Sequence, residues 1–240
     1  PKVLNYVQGL DITQSGPTGQ QSSVFMRGTN SNHTLVLLNG IPINDLSTPT
    51  GAHDVGQVFM FNVVQIDVYK GSAGAHWGAD AVGGAINFRT TVDYDKSLNV
   101  SGHGNDKTIN GNYYTRLNDF DISVSAGQHK SENVSALSGA DEKDGTNNKI
   151  IGVNVSKWYD LVHWRTTWFA RNTFTDRDGH SVSIQDGKWA DNTFYALQTG
   201  LDYKNNSLTF HTHEYDRDYD DSHYDSENYT VRGTHQTDTW

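Results

Sequence analysis

Thr34-Leu35-Val36-Leu37-Leu38-Asn39-Gly40-Ile41-Pro42-Ile43 is an apolar, β-branched run interrupted by a single turn dipeptide. A short run of this kind, closed by Asn-Gly, reads as a buried strand turning sharply into its neighbour. Ser23-Val24-Phe25-Met26-Arg27-Gly28 precedes it, and Ile66-Asp67-Val68-Tyr69-Lys70-Gly71 follows. Val24 to Met26, Thr34 to Leu38 and Val63 to Tyr69 are thus expected to be strands between Gly-anchored turns. Trp77-Gly78-Ala79-Asp80-Ala81-Val82-Gly83-Gly84-Ala85-Ile86-Asn87 completes the set, its Gly83-Gly84 pair allowing close backbone approach. Gly-rich turns after strands also serve nucleotide sites. Gly71 to Gly78 lacks the dinucleotide spacing, however, and no phosphate-loop motif occurs in the chain.

Outward from this block the composition changes near Thr90. Residues 1–90 hold four basic and five acidic side chains, whereas the remainder holds 14 and 23 and carries most of the net charge of −10. The remainder also has five of the six Trp. Only 35% of the chain is hydrophobic, below the roughly 45–50% of soluble domains. No stretch approaches the roughly 18 apolar residues that a membrane helix needs, but a membrane barrel, whose strands alternate lipid-facing and lumen-facing residues, stays open. The acidic balance excludes a nucleic-acid surface. With no Cys, disulfides and Cys-based metal sites are excluded.

From Leu98 onward about eight strands are predicted. Val162, Trp164, Trp168 and Ala170 share one face of a strand, and His163, Arg165 and Arg171 share the other. Ile122, Val124 and Ala126 alternate with polar neighbours, as do Tyr195, Leu197, Leu201 and Tyr203. Asn118-Asp119, Tyr159-Asp160 and Asn205-Asn206 read as tight turns. Lys130 to Asn148, Asn172 to Asn192 and Asp216 to Ser226 read as long polar loops. A soluble sandwich alternates in the same way, and pattern alone leaves the two open.

The Gly-anchored segments, in their order and spacing, resemble the plug domain of TonB-dependent outer-membrane receptors. The fold class this implies is an α/β plug domain followed by antiparallel transmembrane β-barrel strands. The expected division is residues 1–90 for the plug and 91–240 for the first strands of a plugged barrel of about 22 strands, cut at both ends. The resemblance implies an importer and not an enzyme, a monomer in the Gram-negative outer membrane in contact with its lipid. TonB would act through a segment upstream of Pro1, where any signal peptide would also lie.

Within the family, the acidic loops and the segment His211-Thr212-His213-Glu214-Tyr215-Asp216 look most like the cobalamin (vitamin B12) receptors. That likeness implies calcium, with Glu142, Asp144, Asp178 and Asp191 as ligands by loop position and Asp176 nearby. Solvated acidic loops that hold no ion are the plain alternative. Asp216, Asp218, Asp220 and Glu227 copy part of an EF-hand spacing, but Asp221 stands where Gly is required, so that motif is rejected. Solute contact at the plug apex would fall on Ser15, Gly16, Thr18, Asn44, Thr50, Gly51 and His53. Gly71-Ser72 in place of Gly-Pro, Asn39 in place of Asp and His76-Trp77 in place of Leu-Tyr depart from the family pattern. Cobalamin is the first expectation for the solute, a ferric siderophore the second, and a non-transporting sensor or adhesin barrel the third. His211 and His213, two apart on a strand, suit either a chelated transition metal or a polar lumen face.

Overall fold

The computed structural model describes residues 2–15, 21–45, 50–58, 63–71, 77, 78, 80–90, 96–132, 144–177, 188–219 and 222–235. The N-terminal unit starts with a 3-10 turn at Lys2–Tyr6 and a two-stranded antiparallel sheet of β1 (Leu10–Gln14) and β2 (Ser22–Met26). A second sheet holds β3 (Thr34–Leu38), β4 (Ile41–Pro42), β5 (Val63–Lys70) and β6 (Gly84–Thr90) in the order β4-β3-β6-β5. β3 is buried along its whole length, which explains why its sequence runs apolar without alternation. Asn39 and Gly40 both take positive φ, 53° and 82°, as the turn into β4 demands. β3 pairs with β6 in parallel, and β6 pairs with β5 antiparallel. Among the described residues the helical share of this unit is confined to short pieces, with 3-10 turns at Ser31–His33 and Val55–Gln57.

Eight strands follow: β7 (Ser97–His103), β8 (Asp106–Leu117), β9 (Phe120–Glu132), β10 (Gly145–Tyr159), β11 (Val162–Arg177), β12 (Lys188–Tyr203), β13 (Asn206–Tyr219) and β14 (Ser222–His235). They form one antiparallel meander in which each strand bonds to the next. No helix among the described residues is long and apolar enough to cross a membrane. Strands of 12 to 16 residues from β8 onward exceed the roughly 9–11 that span a bilayer.

The tight turns fall at Asn118-Asp119, as expected, and at Asp160-Leu161 and Lys204-Asn205, each one residue from its expected place, but the long connections are shorter than the sequence indicated. β9 and β10 continue to Glu132 and from Gly145, and β11 and β12 to Arg177 and from Lys188. Asp216 to Ser226 is not a loop: β13 and β14 run through it as a hairpin that sets Asp216 opposite Asp225 and Asp218 opposite His223. Local composition marks a run of Asp as loop, whereas the strand is imposed by ladder bonds to β12 on one side and β14 on the other.

The wall has two unlike faces. Trp168, Tyr195, Leu197, Leu201, Leu208, Phe210 and Val231 are exposed on the outward face, with Tyr203 near the tight turns and Tyr195 toward the other end. Thr173, Asn192, His211, His213 and Tyr215 are buried on the inward face against the N-terminal unit. Phe194, Ala196 and Tyr215 of the wall share one apolar cluster with Leu4, Val24, Val36, Ile43 and Phe88. Leu35, Leu37, Ala81 and Ala85 make a second cluster on the opposite side of β3.

Candidate functional site

The described residues 43–45 and 50–58 follow β4 and lie against the inward face of β10, β11 and β13. This segment is folded on itself first. The Asn44 side chain accepts from Val36 N at 2.8 Å and donates to Gly51 O at 3.0 Å, so it ties the segment to β3. Asp54 caps the Val55–Gln57 turn through Gly56 N at 2.9 Å and accepts from Ser22 N at 2.8 Å, which links the segment to β2.

The wall then grips it. Asn148 donates to Gln57 O at 3.0 Å, and Arg171 donates to the same oxygen and to Gln57 Oε1, both at 3.3 Å. Tyr215 Oη donates to Ile43 O at 2.8 Å, receives Arg171 at 3.4 Å and lies 3.4 Å from His53 Nδ1. Arg217 pairs with Asp45 at 3.1 Å. These bonds join residues 91 to 172 positions apart. Burial pushes the His53 imidazole down to about 3, and the Arg171 guanidinium adds to the effect. His53 is therefore neutral at physiological pH.

Of the residues expected to meet solute, Ser15 and Thr50 are exposed and Gly51 is partly so, while Asn44 and His53 are buried in the anchoring just described. Gly16 and Thr18 lie outside the described residues. For the calcium set, Asp144 is buried at the entry to β10. Asp176 and Asp191 sit on the outward-facing positions of β11 and β12, with Asp191 bonded to Asn172 at 2.5 Å. Asp176 Oδ2 lies beside Gly145, the residue that follows Asp144. Glu142 and Asp178 lie outside the described residues.

The sequence reading missed two groups. Arg171, Tyr215 and Arg217 hold the apex segment; the one signal for them is their inward parity on strands whose other face is apolar. Asp216, Asp218 and His223 place ligand atoms within 4.8 Å of one another at the β13–β14 hairpin, with His223 Nδ1 2.9 Å from Asp218. Reading a loop there hid the pairing. His211 and His213 face inward and are buried. A cavity of about 650 Å³ separates the other end of the N-terminal unit from the wall, lined by Asn39, Asn87 and Arg89 on one side and Asn154, Arg165 and Gln198 on the other.

The first 85 residues match one known domain family over their whole length, the TonB-dependent receptor plug domain. Residues 1–85 thus resemble such a plug. A receptor domain, and not an enzyme, is what this match describes. The plug with its wall also shares its fold with solved receptors. The siderophore receptor PirA from Acinetobacter baumannii is 18% identical, with a TM-score of 0.68 over 94% of this chain and 40% of that one. The ferric yersiniabactin uptake receptor from Yersinia pestis is 16% identical, with a TM-score of 0.70 over 100% and 43%. The FrpB iron transporter from Neisseria meningitidis is 14% identical, with a TM-score of 0.71 over 96% and 41%. The chain thus spans about two fifths of the length of these proteins. Eight wall strands after a plug are the fold of the corresponding part of such receptors.

Proposed function

We propose that this chain is the plug and first barrel wall of a monomeric Gram-negative outer-membrane receptor. It captures a scarce, large metal chelate outside the cell and admits it when TonB pulls on the plug. A ferric siderophore is the favoured solute. The observation that carries the reading is the seating of the plug. Its apex segment is held against a polar inner wall largely by hydrogen bonds from Asn148, Arg171 and Tyr215 to neutral oxygens, which other polar partners can replace, while the outer wall is apolar and suited to lipid. Proteins of the same fold that are described as siderophore or iron receptors support the choice of solute.

Cobalamin is a second reading, favoured by the acidic segments Asp141 to Gly145 and Thr175 to Gly179, where calcium would order the outer loops before the solute binds. Calorimetry on the full-length receptor separates the readings. Ferric hydroxamate and catecholate siderophores and cyanocobalamin are titrated in turn, each with and without calcium. Tight binding of a ferric siderophore supports the first reading; calcium-dependent binding of cyanocobalamin replaces it with the second. Binding of neither, by a receptor correctly folded in the outer membrane, points to a sensor or adhesin. Asp178→Ala should weaken solute binding in calcium and leave it unchanged in chelator.

A further inference from the structure

The outward face of the wall is apolar in its middle, but over β8, β9 and β10 it ends in a group of lysines. The ladders carry the outward parity of Trp168 through Val153 and Val124 to Tyr113, so every second residue from Val124 on β9 and from Tyr113 on β8 faces out. Lys107 is paired directly with Lys130. Lys149, paired with Gln128, stands diagonal to Lys130 on the same face. All three are exposed. Like charges set directly opposite each other on a sheet are destabilising, and an anion placed between them removes the penalty. Glu132 pairs with Lys130 at 2.7 Å, and three lysines against this one acid leave two positive charges in excess.

Their height is a second observation. Each stands ten residues from the tight-turn end of its strand, Lys107 from Leu117, Lys130 from Phe120 and Lys149 from Tyr159. Ten residues extend roughly 33 Å, and on a strand tilted by about 40° they rise about 25 Å, the height of the apolar band of a membrane barrel. The ammonium groups are thus level with the headgroups of the outer leaflet. Directly below them the outward face is hollowed into a depression of about 650 Å³, with Lys149 at its upper edge. Gly111 and Ala126, paired with each other, form its floor, and Leu98, Ile109, Tyr113 and Val124 its sides. A hollow that opens to hydrocarbon and ends at ammonium groups fits an acyl chain below a phosphate. At the same height on β13 and β14 the rim is acidic, with Asp216 opposite Asp225, so an anion at the rim is directed to the lysines.

We propose that β8 to β10 hold one molecule of an anionic, phosphorylated lipid of the outer leaflet. Its phosphate lies on Lys107, Lys130 and Lys149, and an acyl chain fills the hollow over Gly111 and Ala126. The proposal takes from the receptor reading only that the wall spans a membrane.

Native mass spectrometry of the full-length receptor, released from a non-ionic detergent with no solute added, reads the complex directly. Dioleoylphosphatidylglycerol and dioleoylphosphatidylcholine are offered at equal concentration, and the parent should retain one phosphatidylglycerol in preference to phosphatidylcholine. A lysine at a charged lipid surface is worth about fivefold in affinity, so Lys107→Gln with Lys149→Gln should weaken retention roughly twentyfold. Lys157→Gln with Lys204→Gln removes the same charge at the tight-turn end and should leave retention unchanged. Ala126→Phe, which fills the hollow and keeps every lysine, should lower it at least about fivefold. Heat-modified gel mobility confirms that each variant is folded. Equal retention of the two lipids by the parent, no loss in the rim or the hollow variant, or an equal loss in the tight-turn variant would each overturn the proposal. So would displacement of the lipid by inorganic phosphate, which marks a free-anion site, or a mass of two receptor copies in place of lipid. Failure of every solute in calorimetry would sink the receptor reading and leave this result standing.

Discussion

Replacing Gly84 by Ala should open the central sheet of the plug. Gly84 begins β6 and is laddered on both sides, to Thr34 of β3 and to Lys70 of β5. Its φ is +143°, and a Cβ there would lie 2.2 Å from Tyr69 O and 2.2 Å from Met26 Sδ. The Met can swing away. The carbonyl belongs to the neighbouring strand, so a whole ladder must move by more than 1 Å. Overpacking of this kind costs about 1–3 kcal/mol, and the backbone conformation adds about 1–3 kcal/mol. The sum, about 2–6 kcal/mol, speeds exchange of the sheet amides at least about thirtyfold. Gly83→Ala is the internal control. Its Cβ would meet the Thr29 hydroxyl at 2.3 Å, which can rotate at the loss of one bond to Met26 O, about 1 kcal/mol, and the His33 carbonyl at 3.1 Å, a contact relieved by a shift far smaller than Gly84→Ala requires. Hydrogen exchange of the full-length receptor, read on peptides covering Leu35 to Leu38 and Ile86 to Phe88, measures both. Protection in Gly84→Ala within threefold of that in Gly83→Ala would refute the reasoning.

Three other outcomes are expected. Asn44→Ala leaves the buried Val36 N–H unpaired at a cost of about 1–3 kcal/mol, so protease cleavage between residues 44 and 53 should rise; cleavage at the parent rate would count against the anchoring role. His53 is neutral in the seated segment, with its pKa lowered to about 3 from 6.5, so the released segment takes up a proton that the seated one does not. Its contribution is full above pH 6.5 and is lost as pH falls toward 3. Cleavage of the segment should climb between pH 7 and 4.5, and His53→Phe should flatten the climb; equal slopes would show that other groups set it. Leu197→Arg places a charge on the outward face at a cost of about 2–4 kcal/mol near mid-bilayer, whereas Thr167→Arg, on the inward face beside the 650 Å³ cavity, should be tolerated. Heat-modified gel mobility reads both, and equal losses would contradict the assignment of faces.

Strand number and parity were legible because they are local. The alternation through Tyr195, Leu197 and Leu201 is repeated every two residues and needs no partner to be read. The Gly-anchored runs of the plug were legible for the same reason, since β3 is apolar on both faces and its turn is spelled by Asn39-Gly40. The hairpin of β13 and β14 was not. Asp216 and Asp218 have the composition of a loop, and only the ladders hold them extended. The grip on the apex was hidden more deeply, because Tyr215 and Ile43 are 172 residues apart and no spacing in the sequence connects them. Asn44 and His53 were marked for solute by their place in a family pattern, yet their burial ties them to the scaffold. A single chain cannot distinguish a residue that touches solute from one that holds the loop that does.

The pairing of β1 with β2 has a mechanical consequence. Leu10 pairs with Met26 at the open end of the hairpin, and Gln14 pairs with Ser22 nearest its turn. A pull on the residue-1 end first draws Leu4 from the core and then meets the Leu10 pair and each pair after it in succession. The ladder is loaded one rung at a time, like a zip, and never in shear across all five pairs together. Such a ladder yields at a low, nearly constant force. The chain released by it lengthens the tether before tension reaches the plug sheet, where β3 and β6 run side by side. The order of rupture is thereby written into strand direction: the hairpin opens as a compliant fuse, and the central sheet bears load only after it has gone.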